Sequence, residues 1–163
     1  MPLREVAPEA TRCVRLKWSR PAPYEQIIES GSAHDSHGWL YMILGYYGSS
    51  HPKLFYIGKV YQTHVSARLR QSDHKRRYQR LRGEHSRHSF RVSLGSVEIE
   101  GGRITAQRID QIETMLIYTA SVSQPLINER KWLTHRISKA YHIRNQGFRR
   151  PLPTEIHLGI FTR

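Results

Sequence analysis

The chain has 163 residues, room for one domain with a modest core and an appendage. It carries 26 Lys and Arg against 13 Asp and Glu, a formal net charge of +13, which favours a polyanionic partner: nucleic acid or an anionic membrane surface. The longest apolar run, Trp39 to Leu44, is too short to span a bilayer, and the stretch MPLREVAPEA lacks the apolar core of a secretion signal. With Cys13 as the single cysteine, no intramolecular disulfide forms, and Cys13 reads as a small buried hydrophobe. The expectation is a soluble protein of the cytoplasm with no membrane partner.

In chain order, residues 1–37 form an arm with balanced charge. RPAP at 20–23 breaks any helix, YEQIIES predicts a short helix before Gly31, and SGSAHDSHG at 30–38 is a loop. Strands are predicted over about 39–46 and 53–60, joined by YGSSHP as an antiparallel hairpin with a long connection. Two short helices suit 63–71 and 74–82, with Gly83 stopping the second. FRVSLGSVEIEGG alternates apolar and polar residues and predicts a third strand; a helix follows over 103–120. After the loop SVSQPL, NERKWLTHRISKAYHI reads as another long helix, and EIHLGIF as a terminal strand. The fold class is therefore α+β, a small antiparallel three-stranded sheet flanked by helices, with N- and C-terminal extensions.

Basic residues cluster in two blocks. Residues 59–91 hold ten basic and two acidic side chains, and residues 130–150 hold seven basic and none acidic. Two separated blocks can grip one phosphate backbone from two sides, and this favours nucleic acid over a merely solvated basic face. The candidate contacts are Lys75, Arg76, Arg77, Arg80, Arg82, Lys131, Arg136 and Lys139.

One carboxylate stands on an unexpected face. At 100° per residue, Ile109, Ile112, Leu116, Ile117 and Ala120 share one side of the 103–120 helix, and Glu113 lies in their midst. A buried ionised carboxylate needs a cation, a metal or a proton. Glu113 is thus a candidate metal ligand or catalytic acid, with a salt bridge to an arginine as the alternative. On the hairpin, period-2 alternation sends Leu54, Tyr56, Gly58 and Val60 one way, and Trp39, Tyr41 and Ile43 one way. Gly58 inside a strand leaves a notch where a phosphate or sugar can approach, walled by phenols; half-buried aromatics are the plainer reading.

Taken in order, WLY at 39–41, YIG at 56–58, Arg68 in VSARLR, Glu113 in IETMLIY and Asn128 in QPLINE resemble the GIY-YIG nuclease family over roughly residues 38–130. The pattern departs at Trp39, where the family name has glycine, and at the hairpin, where fourteen residues separate Tyr41 from Tyr56. The resemblance implies a catalytic core at 38–130 between the 1–37 arm and a basic extension at 131–163. It implies a metal-dependent endonuclease cleaving double-stranded DNA, similar to the family's stand-alone restriction enzymes; mobile-element and repair nucleases are the other branches. Glu113 would hold one Mg²⁺ or Mn²⁺ and Arg68 would clamp the phosphate. Tyr41 would be the base, with His74 the alternative, and Tyr56 would position water or phosphate. Lys59 adds positive charge or is a solvated strand end, and Asn128 orients the site or caps a helix. Cutting both strands from one site per chain points to a homodimer or to two sequential nicks.

Other chemistries lack their patterns. No zinc-finger spacing, P-loop, dinucleotide-binding glycine run or Gly-x-Ser-x-Gly occurs, and the pairs His34/His37 and His85/His88 have no partners to complete a tight site. The alternative to a nuclease is a non-catalytic basic protein that binds nucleic acid. A membrane-surface role comes third.

Overall fold

In the computed structural model, residues 11–29, 38–48, 51–129 and 141–158 are described. In chain order the elements are β1 (Arg12–Trp18), β2 (Ala22–Pro23), α1 (Tyr24–Glu29), β3 (Trp39–Tyr46), β4 (Lys53–Val60), α2 (Val65–Leu69), α3 (Ser72–Glu84), β5 (Ser89–Ile99), α4 (Ala106–Ser121), β6 (Tyr141–Gly147) and β7 (Glu155–Leu158). The strands make one seven-stranded sheet in the order β4-β3-β5-β1-β6-β7, with β2 paired to β5. All pairings are antiparallel except β1 with β6, so the sheet is mixed.

This corrects the small three-stranded antiparallel sheet expected from the sequence. The predicted strands β3, β4 and β5 form one end of the sheet, and residues outside the expected core extend it. In β1, Val14, Leu16 and Trp18 are buried while Arg15 and Lys17 are exposed, an amphipathic strand that must lay its apolar side on a core. In β6, Tyr141, Ile143 and Asn145 are buried in the same alternation. The helix expected over 128–143 is thus replaced at Tyr141–Ile143 by strand; residues 130–140 lie outside the described residues. No helix among the described residues is long and apolar enough to cross a membrane.

Smaller differences have local causes. α3 runs through Gly83 to Glu84, because nothing at Gly83 demands a left-handed backbone: its φ is not positive. Cys13 is only half-buried, since it lies on the outer side of β1. The short helix expected from YEQIIES is present as α1, docked by Tyr24 stacking on Tyr78 at 3.6 Å and by the Tyr78 hydroxyl donating to Glu25 at 2.9 Å.

The sheet is covered on both faces at the β3–β4 end. Leu40, Met42, Leu44, Leu54 and Ile57 pack with Ile109, Ile112 and Leu116 of α4, in a cluster that continues under Val14, Leu16, Tyr141 and Ile143. Tyr41, Ile43, Phe55, Tyr56 and Val60 face the other way, with Val65 and Leu69 of α2 and Leu81 of α3. α4 starts where the side chain of Thr105 accepts a hydrogen bond from the Arg108 amide at 3.2 Å, an N-cap that satisfies one of the free first-turn donors.

Strict alternation fails once in β4. The pairing runs Ile43 to Tyr56 and then Leu44 to Leu54, so Phe55 is an extra residue in a β-bulge. Phe55 and Tyr56 therefore lie in one cluster while Leu54 lies in the opposite one, not on the side of Tyr56 and Val60 as alternation predicts. The bulge re-aims Tyr56 into the cluster that holds Tyr41.

Candidate active site

Gly58 answers to Tyr41. The two are register partners on β3 and β4, and a β-carbon built at Gly58 would lie 2.2 Å from Tyr41 Cζ and 2.3 Å from its hydroxyl. The gap left by the missing side chain is filled by the phenol crossing it, so the notch expected for a phosphate or sugar is occupied from within. Tyr41 is fully buried and Tyr56 is 9 % exposed; their ring centroids are 6.0 Å apart and their hydroxyls hydrogen-bond to one another.

Helices α2 and α3 bring cations to this pair. Arg68, on α2, is half-exposed; it donates to Gln71 Oε1, and its Nη2 lies 3.9 Å from Asp73. His74, on α3, is buried and sits edge-on to both phenols, at 6.3 Å from Tyr41 and 5.7 Å from Tyr56. Arg77, one turn on, places its guanidinium 4.7 Å over the Tyr56 ring and its Nη1 3.3 Å from His74 Nδ1. Arg77, expected to contact a nucleic-acid backbone, is half-buried and packs on Tyr56 and His74. Lys75, Arg76, Arg80 and Arg82 are exposed on the same helix, Arg80 paired with Glu84 at 2.8 Å. Lys131, Arg136 and Lys139 lie outside the described residues.

Glu113 reaches the same edge from α4. It is 6 % exposed, and its Oε2 is 3.6 Å from Lys59 Nζ, which also pairs with Asp110 one turn earlier on the helix. Lys59, at the end of β4, thus puts its positive charge between Asp110 and the buried carboxylate of Glu113. The Glu113 charge is close enough to push both the Tyr41 and the Tyr56 phenols up.

The electrostatics set each group's protonation. Burial raises Tyr41 well above the ordinary phenol range, its hydroxyl neighbour Tyr56 adds to this, and Arg68 opposes it. Burial also raises Tyr56, with Arg77 opposing. His74 is lowered to about 4 by burial and by the positive charges of Arg68 and Arg77. Its imidazole is therefore neutral at pH 7. A guanidinium only donates, so Nδ1 is the acceptor and the ring hydrogen sits on Nε2, a buried atom that makes no hydrogen bond.

Asn128 shapes the site from outside. β4 is an edge strand, and its open side is closed by the loop after α4. Gln124 Oε1 accepts from the Leu54 amide at 3.1 Å and the Ile127 amide donates to Phe55 O at 2.7 Å. Asn128 Oδ1 accepts from the Ile57 amide at 3.1 Å while its Nδ2 donates to Ile57 O at 2.7 Å. The amide side chain imitates a neighbouring strand, one residue before Gly58. Its described contacts hold β4 in place; the residues that a helix cap at Asn128 would serve, from 130 on, lie outside the described residues.

Tyr41, Tyr56, Arg68 and His74 thus belong to the side of the sheet covered by α2 and α3, Glu113 pairs with Lys59 from α4 on the other side, and Asn128 closes the outer edge of β4. Sequence reasoning missed Asp110, three residues before Glu113 on α4, and the inward turn of Arg77. Asp110 had a signal: at i−3 it shares the helix side of Glu113. His85 and His88 pack on Phe55, at 4.7 and 5.7 Å between centroids. No protein-family model, curated protein or solved structure matches the chain.

Proposed function

We propose that this protein is a metal-dependent endonuclease of the GIY-YIG type that hydrolyses DNA phosphodiester bonds, acting as a site-specific restriction-type enzyme. The observation that carries the reading is a buried carboxylate, Glu113, whose charge acts on both hairpin phenols and is opposed there by that of Arg68. Glu113, singled out from the sequence by its helix face alone, is the carboxylate that the family resemblance also names, and its burial supports the reading.

Hydrolysis adds negative charge to a phosphate that is already anionic, so the site needs a proton acceptor for water and positive charge for the oxygens. Glu113 is the residue that would hold Mg²⁺ or Mn²⁺. The fit is one of donor chemistry: a carboxylate is a hard oxygen ligand, and Mg²⁺ takes one or two carboxylates while keeping several waters. Such an ion supplies charge neutralisation at the scissile phosphate and the leaving oxygen. Arg68, half-exposed, pairs its planar fork with the phosphate, releasing Gln71. Lys59 is already paired with Asp110, so that partner would remain to it if Glu113 held the ion. Tyr41 is the base only as its phenolate, a scarce form at neutral pH because burial raises the phenol; in that form it takes the proton of the attacking water and becomes the neutral phenol, with Tyr56 beside it. His74 is the poorer base, because Arg77 occupies the ring lone pair at Nδ1 and Nε2 carries the hydrogen.

The exposed cations of α3, Lys75, Arg76, Arg80 and Arg82, flank this edge and supply backbone contacts to double-stranded DNA. Cutting both strands calls for a homodimer or two sequential nicks.

A non-catalytic nucleic-acid-binding protein is the second reading, and one observation favours it: Glu113 already has a cation, Lys59, at 3.6 Å. Supercoiled plasmid incubated with the purified chain separates the two. With Mg²⁺, the nuclease reading expects nicked and then linear DNA, resolving into discrete fragments, and intact plasmid in chelator. Intact plasmid under both conditions, with retarded mobility at low salt, supports the binding protein.

A further inference from the structure

Far from the hairpin, at the opposite edge of the sheet, lies a second cluster of ligating side chains. β6 and β7 pair antiparallel with His142 opposite His157 and Arg144 opposite Glu155. Tyr141, Ile143 and Ile156 point into the core, so alternation sends His142, Glu155 and His157 to the other face together. His142 Nε2 is 3.4 Å and His157 Nε2 is 3.5 Å from the same oxygen, Glu155 Oε2, and the three ligand atoms lie within 4.8 Å of one another.

We infer that His142, Glu155 and His157 bind one transition-metal ion, Zn²⁺ by donor type, at a site separate from the proposed nuclease centre. The spacing carries the inference. A charge-assisted hydrogen bond draws its atoms to about 2.7–2.9 Å. Two ligands tetrahedral about zinc, each ~2.0–2.1 Å from it, stand about 3.3–3.4 Å apart. The observed 3.4 and 3.5 Å match the second arrangement. The same His142 Nε2 is buried and lacks a hydrogen bond of normal geometry. Arg144 Nε lies 3.7 Å from the other oxygen, Oε1, which keeps Oε2 turned to the imidazoles. The two rings stack at 3.8 Å, so both Nε2 atoms are presented on one side.

Two imidazoles and one carboxylate suit Zn²⁺ and its neighbours in the first transition row, whereas Mg²⁺ and Ca²⁺ prefer all-oxygen shells. The set leaves a fourth position for water or an incoming ligand. Cys13, opposite His142 on β1, faces the same way but stands outside the cluster. A bound ion clips the four-residue edge strand β7 to β6, which gives it a stabilising role apart from any chemistry.

The test uses full-length protein without a histidine tag, dialysed against Zn²⁺ and then against buffer. Metal content, Zn²⁺ affinity and thermal unfolding with and without Zn²⁺ are measured. The expected result is one Zn²⁺ per chain and a higher melting temperature with zinc. His157→Ala and the isosteric Glu155→Gln, both at exposed positions, should each weaken zinc binding at least about tenfold and cancel the thermal shift. His85→Ala/His88→Ala should behave as the parent. No zinc retained by the parent chain, or retention unchanged in His157→Ala and Glu155→Gln, overturns the site.

Discussion

At the scale of single residues, Tyr41 and His74 make opposite demands on pH. If Tyr41 is the base, its raised phenol keeps the reactive form scarce at neutral pH, and kcat should climb about tenfold per pH unit across the range below that pKa. If His74 is the base, with a pKa near about 4, the profile should be flat from mildly acidic pH upward. Single-turnover rates from pH 6 to 9 at saturating Mg²⁺ choose between them, and the rising profile is the one predicted. His74 also leaves a mark on stability. Its folded pKa is depressed below the ordinary ~6.5, so between those values the unfolded chain holds the extra proton. Stability is therefore full above ~6.5 and is lost as pH falls towards 4, by roughly 3 kcal/mol from this residue. Replacing His74 with Gln should remove much of that acid slope in urea unfolding midpoints measured between pH 4 and 7. Gly58→Ala is predicted to be severe for a different reason: its new methyl group would overlap a fully buried phenol, at a cost of about 1–3 kcal/mol and with displacement of the Tyr41 hydroxyl. Thermal melts measure the first effect and cleavage rates the second.

At the scale of elements, the edge strand β4 is the piece on which the site depends. Its outer backbone groups are satisfied by Gln124, Ile127 and Asn128 rather than by another strand. Asn128→Ala removes two hydrogen bonds to Ile57 and leaves both of its polar groups short of partners, a loss of about 1–3 kcal/mol in unfolding free energy. If Asn128 only positions β4, kcat should fall in that variant while KM changes little. Much of this region was legible in the sequence. The hairpin strands lie at the expected residues because alternation and turn chemistry are local. Glu113 stood out because a 100° period exposes any polar residue on an apolar face. The bulge at Phe55 was not legible: two adjacent aromatics can obey either phase, and only packing against α2 and α3 decides. Nor was the Lys59, Asp110 and Glu113 linkage, which depends on how α4 crosses β4.

At the scale of the whole molecule, the sheet is larger than local signals implied. β1 carries its alternation openly in Val14, Leu16 and Trp18, yet its partner in the parallel pairing, β6, lies more than a hundred residues away. Such a pairing has no turn residues to announce it, and a basic stretch before it favours a helical reading. The charge is a molecular property too. With a net charge of +13, DNA affinity should fall steeply with salt. Replacing Lys75 and Arg76 by Ala should reduce the slope of log K against log salt by about 1 for every phosphate that the variant no longer neutralises. Filter binding at graded NaCl measures it.

The most direct measurement compares the parent chain with Glu113→Gln in Mg²⁺-dependent plasmid cleavage, with DNA affinity determined in parallel. The nuclease reading predicts that this near-isosteric change slows cutting about 10³-fold while leaving affinity within a few-fold. Cleavage by Glu113→Gln at the parent rate, or no cleavage by the parent at any Mg²⁺ or Mn²⁺ concentration, contradicts it.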